Sequence, residues 1–212
     1  MPTRPPATPQ RQRRTRSKAG ALPPRRPKRR PRFSVVLCAL ALFFVGPVVV
    51  LVGVTWSNRI TPRGIVIHHS ALGDAPGADV AANAAVVDAV HARRGFGVFY
   101  GTRTYHIGYH YVIRADGTVE AGRPERCRGA HAKGHNDYLG VCVLGNFVTT
   151  EPTPRQQQSL ARLCRVLMVR YRIPPARVVG HRDFDAAHTL CPGDRFPFAR
   201  LRRAIRSASP GS

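Results

Sequence analysis

The chain has 212 residues, and its 34 lysines and arginines outnumber its 11 acidic residues, which gives a formal net charge of +23. This length accommodates one ordinary domain with extensions. The sequence contains no internal repeat, no phosphate-binding loop and no dinucleotide-binding fingerprint, which excludes repeat proteins and the nucleotide-dependent enzymes that rely on those motifs. Its five cysteines do not define a disulfide framework, and no particular pairing is predicted.

The chain begins with a basic tail. Residues 1–32 contain 12 of the 34 lysines and arginines and none of the acidic residues. They are rich in proline and arginine and have almost no large apolar side chain, so they cannot bury a core and we expect them to be disordered. Polybasic arms bind phosphate without sequence specificity, and that role stays open for the tail, although no specific nucleic-acid partner is expected.

The next segment, residues 33–56, is almost wholly apolar and carries no charge. A membrane-spanning helix needs about 20 apolar residues, whereas the apolar core of a cleavable signal peptide has about 7–15. The length therefore predicts a transmembrane signal anchor, with Trp56 at the membrane interface. A long signal peptide that is removed is the alternative, although no A-x-A-like cleavage site follows.

The charges that flank this segment predict its orientation. Twelve basic residues precede it, and only Arg59 and Arg63 follow it closely. Positively charged flanks remain in the cytoplasm. We therefore expect a single-pass protein of the cytoplasmic membrane with its amino terminus inside, and residues 57–212 in the periplasm or the cell-wall space.

Strand and helix patterns alternate along residues 57–212. Residues 64–70 form an apolar strand that ends in two histidines. Residues 79–94 have apolar side chains at helical spacing and predict a helix. An Asp-Gly turn then joins two strands, residues 105–114 and 118–121, and is the strongest short-range signal for a hairpin.

The second half of the domain continues the alternation. Residues 141–147 are a continuous apolar run, as expected of a strand buried on both faces. Thr153 and Pro154 carry the capping signals of a long helix, and a strand at 178–179 and a short helix at 198–205 follow. The pattern predicts a single α/β domain with one β-sheet, helices on both faces and a functional site at the strand ends.

Two residues near the end of the domain have the chemistry of metal ligands. His181 and Cys191 lie on either side of a polar loop, and a neutral imidazole and a thiolate are both good ligands for zinc, whose catalytic sites use three protein ligands and one open position. The strand at 64–70 delivers His68 and His69 to its carboxyl end. Successive strand residues point to opposite faces, so only one of these two histidines can complete the site.

Several motifs resemble those of a known family. The motifs are IVIHHSA at 65–71, IGYHYVIRADGTVEAGRP at 107–124, GAHAKGHN at 129–136, VCVLGNF at 141–147, and GHRD and TLCPG within 180–193. Together they resemble the type 2 N-acetylmuramoyl-L-alanine amidases, a superfamily that includes phage lysozyme-type amidases and peptidoglycan recognition proteins. The resemblance covers the core of the domain, residues 60–200, and implies a mixed central sheet with a long groove over a zinc ion.

The resemblance also implies roles for individual residues. It makes His68, His181 and Cys191 the zinc ligands and leaves His69, on the other side of the strand, a structural residue. His188 does not match the spacing of a ligand. Tyr109 would direct its hydroxyl to the open zinc position and stabilise an oxyanion.

Three further positions are implied to act around the zinc. Thr189 stands where phage-type members carry lysine, so it can contribute a hydrogen bond but no charge. His131 and Asn136 are expected to line the groove and to contact glycan or peptide.

The resemblance implies a zinc-dependent hydrolase that cleaves the amide bond between N-acetylmuramic acid and L-alanine in peptidoglycan. A peptidoglycan-binding module without catalysis, anchored to the membrane, is the main alternative. Such members of the family characteristically lose the cysteine ligand, whereas this chain has Cys191. A membrane-tethered protein that works through its basic tail and a cytoplasmic recycling amidase are further alternatives.

Overall fold

The computed structural model describes residues 57–71, 82–184 and 188–207. The tail at 1–32 and the apolar segment at 33–56 lie outside these residues, so the expectations for them stay predictions. Among the helices that the structure describes, none has the length and hydrophobicity needed to cross a membrane.

Strands and helices alternate along the domain. The strands are β1 (Ile65–His69), β2 (Val98–Tyr100), β3 (Arg103–Tyr105), β4 (Tyr111–Ile113), β5 (Val119–Ala121), β6 (Leu139–Val143) and β7 (Val178–Gly180). The helices are α1 (Ala84–Arg93), α2 (Pro154–Tyr171) and α3 (Phe198–Arg206), with short 3-10 helices at Pro175–Arg177 and His181–Asp183.

Five of these strands form one mixed sheet in the order β5-β4-β6-β1-β7, and β2 and β3 form a separate hairpin. β1 is parallel to β6 and β7, β4 is parallel to β6, and β5 is antiparallel to β4. Parallel strands end at the same edge, so the residues that follow β1, β6 and β7 meet there. The prediction of an α/β domain with a mixed sheet between helices is confirmed.

The two faces of the sheet carry different cores. On one face Ile67 of β1 and Val143 of β6 pack against α2 and α3 in the larger cluster of buried apolar residues. On the other face Val112 and Cys142 belong to a smaller cluster with Val87 of α1. Alternation along β1 therefore directs His68, the neighbour of Ile67, toward the α1 side.

Helix α2 begins as its capping signals predict. Thr153 accepts a hydrogen bond from the backbone N–H of Gln156, whose side chain accepts one from the backbone N–H of Thr153, and Pro154 occupies the first turn. The start predicted for the first helix, residue 79, lies outside the described residues. Helix α1 itself begins at Ala84, where extended Asn83 caps it and its side chain accepts a hydrogen bond from the N–H of Val86.

The long strand predicted at 105–114 is wrong. The Asp-Gly hairpin is present between β4 and β5, but residues 106–110 belong to neither β3 nor β4. The carboxylate of Asp88 accepts the backbone N–H groups of His106 and Ile107 at 3.1 and 2.7 Å, and Nδ1 of His91 accepts that of Gly108 at 2.9 Å. Side chains of α1 thus replace a neighbouring strand as hydrogen-bond acceptors for residues 106–108, whereas the N–H of His110 donates to the carbonyl of Gly140 in β6 at 2.8 Å.

The strand predicted at 141–147 is also displaced. β6 ends at Val143, and the chain turns at Gly145, whose φ of 138° lies in a region that residues with a side chain rarely adopt.

Candidate metal centre

The three predicted ligands, His68, His181 and Cys191, meet at the carboxyl ends of β1 and β7. Their ligand atoms all lie within 4.8 Å of one another. Nδ1 of His68 lies 3.6 Å from Sγ of Cys191, and the ring centroids of His68 and His181 are 4.6 Å apart. Within the part of the chain that the structure describes, no other group of three histidine, cysteine or acidic side chains is placed to hold a metal ion.

His69 and His188 do not belong to this group. The ring of His69 turns away, and its Nδ1 accepts a hydrogen bond from the backbone N–H of Phe147 at 3.2 Å. Only the backbone N–H of His69 reaches Sγ of Cys191, at 3.4 Å. As strand alternation requires, one histidine of the pair joins the other two ligands.

Local backbone structure holds His181 and Cys191 in place. His181 follows β7, which is parallel to β1, so it emerges at the edge where His68 lies. The carboxylate of Asp183 closes the turn by accepting the N–H of Gly180 at 2.9 Å. The backbone N–H of Arg182 donates to the carbonyl of Cys191 at 2.8 Å. This bond joins the segment that carries His181 to the segment that carries Cys191.

The environment sets the protonation of the three ligands. Burial lowers the pKa of His68 well below its usual value, and neighbouring imidazoles lower it further. Burial also lowers the pKa of His181, so both rings are neutral at pH 7, the form that binds a metal. Burial raises the pKa of the Cys191 thiol to about 11, so this thiol ionises at neutral pH only next to a cation.

These side chains fit a zinc ion. Zinc bonds of about 2.3 Å to sulfur and about 2.0–2.1 Å to nitrogen, at a tetrahedral angle, separate the two ligand atoms by about 3.6 Å. The distance between Sγ of Cys191 and Nδ1 of His68 has this value. Two imidazoles and one thiolate also match the ligand types of catalytic zinc sites, which keep a fourth position open.

Tyr109 lies beside the ligands. Its ring centroid is 5.0 Å from that of His68. Burial raises the pKa of the Tyr109 hydroxyl well above its usual value, and the thiols of Cys142 and Cys191 add to this effect. The hydroxyl therefore keeps its proton across the physiological range and is a hydrogen-bond donor.

Thr189 contacts the cysteine ligand through its hydroxyl, which accepts a hydrogen bond from the backbone N–H of Cys191 at 3.1 Å. The structure thus gives Thr189 a role in holding the ligand loop. Its predicted action on substrate stays a prediction.

A groove of about 580 Å³ passes His181 and Tyr109. It is lined by His91, Arg94, Phe96, Tyr109, Ala130, His131, Ala132, Lys133, Asn136, His181 and Phe184. Arg94 and Lys133 make this lining cationic, and among the described residues no carboxylate contributes to it. A second cavity, of about 500 Å³, lies between α2 and α3. Its lining consists of apolar, glutamine and arginine side chains, which are not ligands for a zinc ion.

His91 and Arg94 are among the groove residues that the sequence pattern did not identify. Both lie in the segment predicted to be a helix, residues 79–94, and neither is predicted to act at the site. The structure directs both toward the groove. A polar His91 among apolar positions of an amphipathic helix was the available signal.

The residues predicted to contact substrate, His131 and Asn136, both line the groove. Their polar atoms are also engaged within the protein. Nδ1 of His131 lies 3.1 Å from Nε2 of His68, and its Nε2 lies 3.0 Å from the carbonyl oxygen of Tyr138. Oδ1 of Asn136 accepts the backbone N–H groups of His131 and Ala132 at 2.8 and 3.0 Å. Their contact with substrate stays a prediction.

The sequence family described as N-acetylmuramoyl-L-alanine amidase matches residues 58–194, which include the whole ligand group. The chain belongs to this family. A solved amidase structure, LysC from Clostridium intestinale, is 35% identical and superposes with a TM-score of 0.57 over 69% of this chain and 87% of LysC. The similarity to LysC thus covers most of both chains.

Curated amidase relatives match a shorter stretch. The endolysin of Enterobacteria phage T3 is 40% identical over 92 residues, which are 41% of this chain and 58% of the endolysin. Human N-acetylmuramoyl-L-alanine amidase is 35% identical over 91 residues, 42% of this chain and 16% of the human protein. The chain therefore spans about half the length of the curated endolysins that it matches.

Proposed function

We propose that this domain hydrolyses the amide bond between N-acetylmuramic acid and L-alanine in peptidoglycan, with zinc held by His68, His181 and Cys191. The observation that carries the proposal is the convergence of these three ligand atoms within 4.8 Å of one another beside an open groove. Membership of the amidase family supports the reaction class.

Zinc, when bound, supplies Lewis acidity, which lowers the pKa of water from about 15.7 to about 7 and polarises a carbonyl group. The contribution of Tyr109 follows from its protonation. Its neutral hydroxyl donates a hydrogen bond to the amide oxygen as negative charge develops there, and such a donor strengthens its interaction in the transition state. Thr189 keeps the Cys191 backbone in place.

The charge of the groove fits an acidic peptide. Arg94 and Lys133 lie in the lining, and no carboxylate of the described part of the chain lies there beside them. Ionised carboxylates of a peptidoglycan stem peptide would pair with these cations, and the enclosing walls of a cleft strengthen such pairs relative to open solvent. The lining therefore orients the peptide side of the scissile amide.

Product analysis tests the proposed activity. The full chain, purified in detergent with zinc, should release peptides that begin with L-alanine and leave glycan strands with free lactyl carboxyl groups. The Cys191→Ser variant should release no such peptides and expose no lactyl carboxyl groups. If the wild-type protein binds peptidoglycan but leaves this amide intact, the hydrolase proposal is wrong and the domain is a peptidoglycan-binding module.

We also propose that residues 33–56 anchor the protein in the cytoplasmic membrane, with residues 1–32 inside the cell and the domain outside. The proposal rests on the uncharged length of this segment and on its basic amino-terminal flank. A reporter fused after Ser212 should be active only outside the cytoplasm, and the protein should stay with membranes in high salt. A shortened, soluble product would show that the segment is a removed signal peptide.

A further inference from the structure

The ring of His131 bridges a zinc ligand and the protein backbone. Its Nε2 lies 3.0 Å from the carbonyl oxygen of Tyr138, and its Nδ1 lies 3.1 Å from Nε2 of His68. Within the described ranges, neither imidazole has a carboxylate as a hydrogen-bond partner. Both nitrogens of His131 are therefore committed to contacts inside the protein.

The chemistry of these atoms fixes where the protons lie. A carbonyl oxygen only accepts, so Nε2 of His131 must carry the hydrogen of this contact. In a neutral imidazole the other nitrogen is an acceptor, so Nδ1 of His131 accepts a hydrogen from Nε2 of His68. The proton of His68 then resides on Nε2, and its Nδ1 keeps a free lone pair.

That lone pair points where a metal would need it. Nδ1 is the atom of His68 that lies 3.6 Å from Sγ of Cys191. A metal-binding histidine is commonly held by a hydrogen bond to its other ring nitrogen, which selects the tautomer and the ring orientation. Usually the partner is a carboxylate, a carbonyl or water, and here it is a second imidazole that a backbone carbonyl has itself oriented.

We infer that His131 is a positioning residue: through the contact with Nε2 of His68 it holds the tautomer in which Nδ1 of His68 is free to bind the metal. This role rests on the proposed zinc site. It differs from direct contact with substrate, because it uses both polar atoms of the His131 ring.

The backbone around His131 is shaped to receive this ring. A Cβ atom added to Gly129 or to Gly140 would collide with Cδ2 of His131. Glycine within a strand weakens the strand and often marks the close approach of another group, and Gly140 lies in β6, in the middle of the sheet. The absence of side chains at Gly129 and Gly140 thus leaves the space that the His131 ring occupies.

The segment that carries His131 is also held independently of its ring. The carboxamide of Asn136 accepts the backbone N–H of His131 at 2.8 Å, and the N–H of Ala130 donates to the carbonyl of Gly108 at 3.0 Å. Substitution of the ring should therefore leave the backbone path in place.

Two substitutions at position 131 separate the hydrogen bond from the packing. Asparagine keeps an acceptor oxygen close to the position of Nδ1, whereas leucine fills space without an acceptor. In the full chain purified in detergent, His131→Leu should weaken zinc binding by about 10–100-fold, the usual effect of losing such a partner. His131→Asn should keep the affinity within a few-fold of wild type.

The tautomer itself is measurable without metal. In the zinc-free full chain with isotope-labelled histidine, the ring ¹⁵N signals of His68 should show a proton on Nε2 in wild type and in His131→Asn, and a mixture of tautomers in His131→Leu. Merely structural damage would lower stability and leave this ratio unchanged.

The outcomes separate the two proposals. A wild-type chain that takes up no zinc overturns the zinc site. A wild-type chain that binds zinc, but whose zinc-free His68 carries its proton on Nδ1, overturns the positioning role alone, as does a folded His131→Leu protein with wild-type affinity. Should His131→Leu fail to fold, the wild-type tautomer and the affinity of His131→Asn still decide.

Discussion

The two faces of the sheet are built from the same strands and do different work. Ile67 and His68 are neighbours on β1, yet Ile67 joins the large apolar core under α2 and α3, while His68 lies on the α1 side with Tyr109 and His181. The α2 and α3 side is mainly apolar, with Gln156 and Ser159 as buried polar residues of α2, whereas the α1 side buries several imidazoles and pairs them through hydrogen bonds. Strand alternation thus places a polar site on the opposite face of the sheet from a mainly apolar core.

Hydrogen bonds on the α1 side explain how buried histidines are tolerated there. An unpaired buried polar group costs stability, whereas a paired one costs little. His110 shows the pattern: its Nδ1 accepts the N–H of Gly140 at 2.9 Å, and its Nε2 donates to the carbonyl of Cys127 at 2.8 Å. The apolar face can stay fixed while the polar face is altered, and the predictions below use this independence.

The largest effect should follow from removal of a metal ligand. We expect Cys191→Ser to abolish bound zinc and to reduce amide cleavage to background, because the thiolate provides one of only three protein ligands. Metal analysis and the release of peptides from peptidoglycan measure both. His69→Ala, which removes a histidine from the other side of β1, is the matched control and should retain zinc. Full zinc occupancy in Cys191→Ser would contradict the ligand assignment.

The sequence predicted that His68, His181 and Cys191 come together, because their chemistry is local and recognisable. His181 and Cys191 frame one loop, and β1 can direct only one of His68 and His69 toward them. The strand at 105–114 could not be corrected from the sequence, because its backbone is bound by the side chains of Asp88 and His91 from another element.

The role of His131 was missed for a related reason. The sequence places His131 in a loop, where a histidine is expected to face solvent or substrate. Its partners are the carbonyl of Tyr138 and the ring of His68, and the second of these is 63 residues away. Only the folded chain brings this pair together, so no local pattern predicts it.

The next effect compares the two faces directly. Tyr109→Phe removes one hydroxyl from the polar face and should lower kcat by about 10²–10³, the usual loss for one oxyanion donor. KM and zinc content should stay near wild type, because the interaction forms only in the transition state. Steady-state kinetics on soluble muropeptides measures this split.

Leu167→Ala is the counterpart on the apolar face. Leu167 of α2 is fully buried in the larger apolar cluster, so its truncation should lower the free energy of unfolding by about 2–5 kcal/mol. The kcat of the folded fraction should not change. A fall in kcat for Leu167→Ala, or wild-type kcat for Tyr109→Phe, would show that stability and chemistry are not divided between the faces.

A pH effect of about 3 kcal/mol is expected from His110. Burial lowers its pKa to about 4, against about 6.5 in the unfolded chain. Between these two values the unfolded state binds more protons, so the stability contribution is complete above pH 6.5 and is lost as the pH falls toward 4. The shift corresponds to about 3 kcal/mol for a single group.

Denaturant unfolding of the zinc-free protein between pH 7 and pH 4 measures this loss. His110→Asn can still accept the N–H of Gly140 but has no imidazole to titrate, so its stability should depend less on pH in this range. An equally steep dependence in both proteins would assign the effect to other buried histidines.

The smallest effect concerns Thr189, whose hydroxyl holds the N–H of Cys191. Thr189→Val keeps the shape of the side chain and removes one hydrogen bond, which contributes about 0.5–1.5 kcal/mol. We therefore expect the zinc affinity of Thr189→Val to fall by at most about tenfold. The zinc affinity of Thr189→Ser, which retains the hydroxyl, should stay close to wild type.

Calorimetric zinc titration and kcat at saturating zinc separate two roles of Thr189, positioning of the ligand loop and action on substrate. If Thr189 only positions the ligand loop, saturating zinc restores kcat in Thr189→Val; a kcat that stays about 10²-fold low would instead place its hydroxyl on the developing oxyanion beside Tyr109.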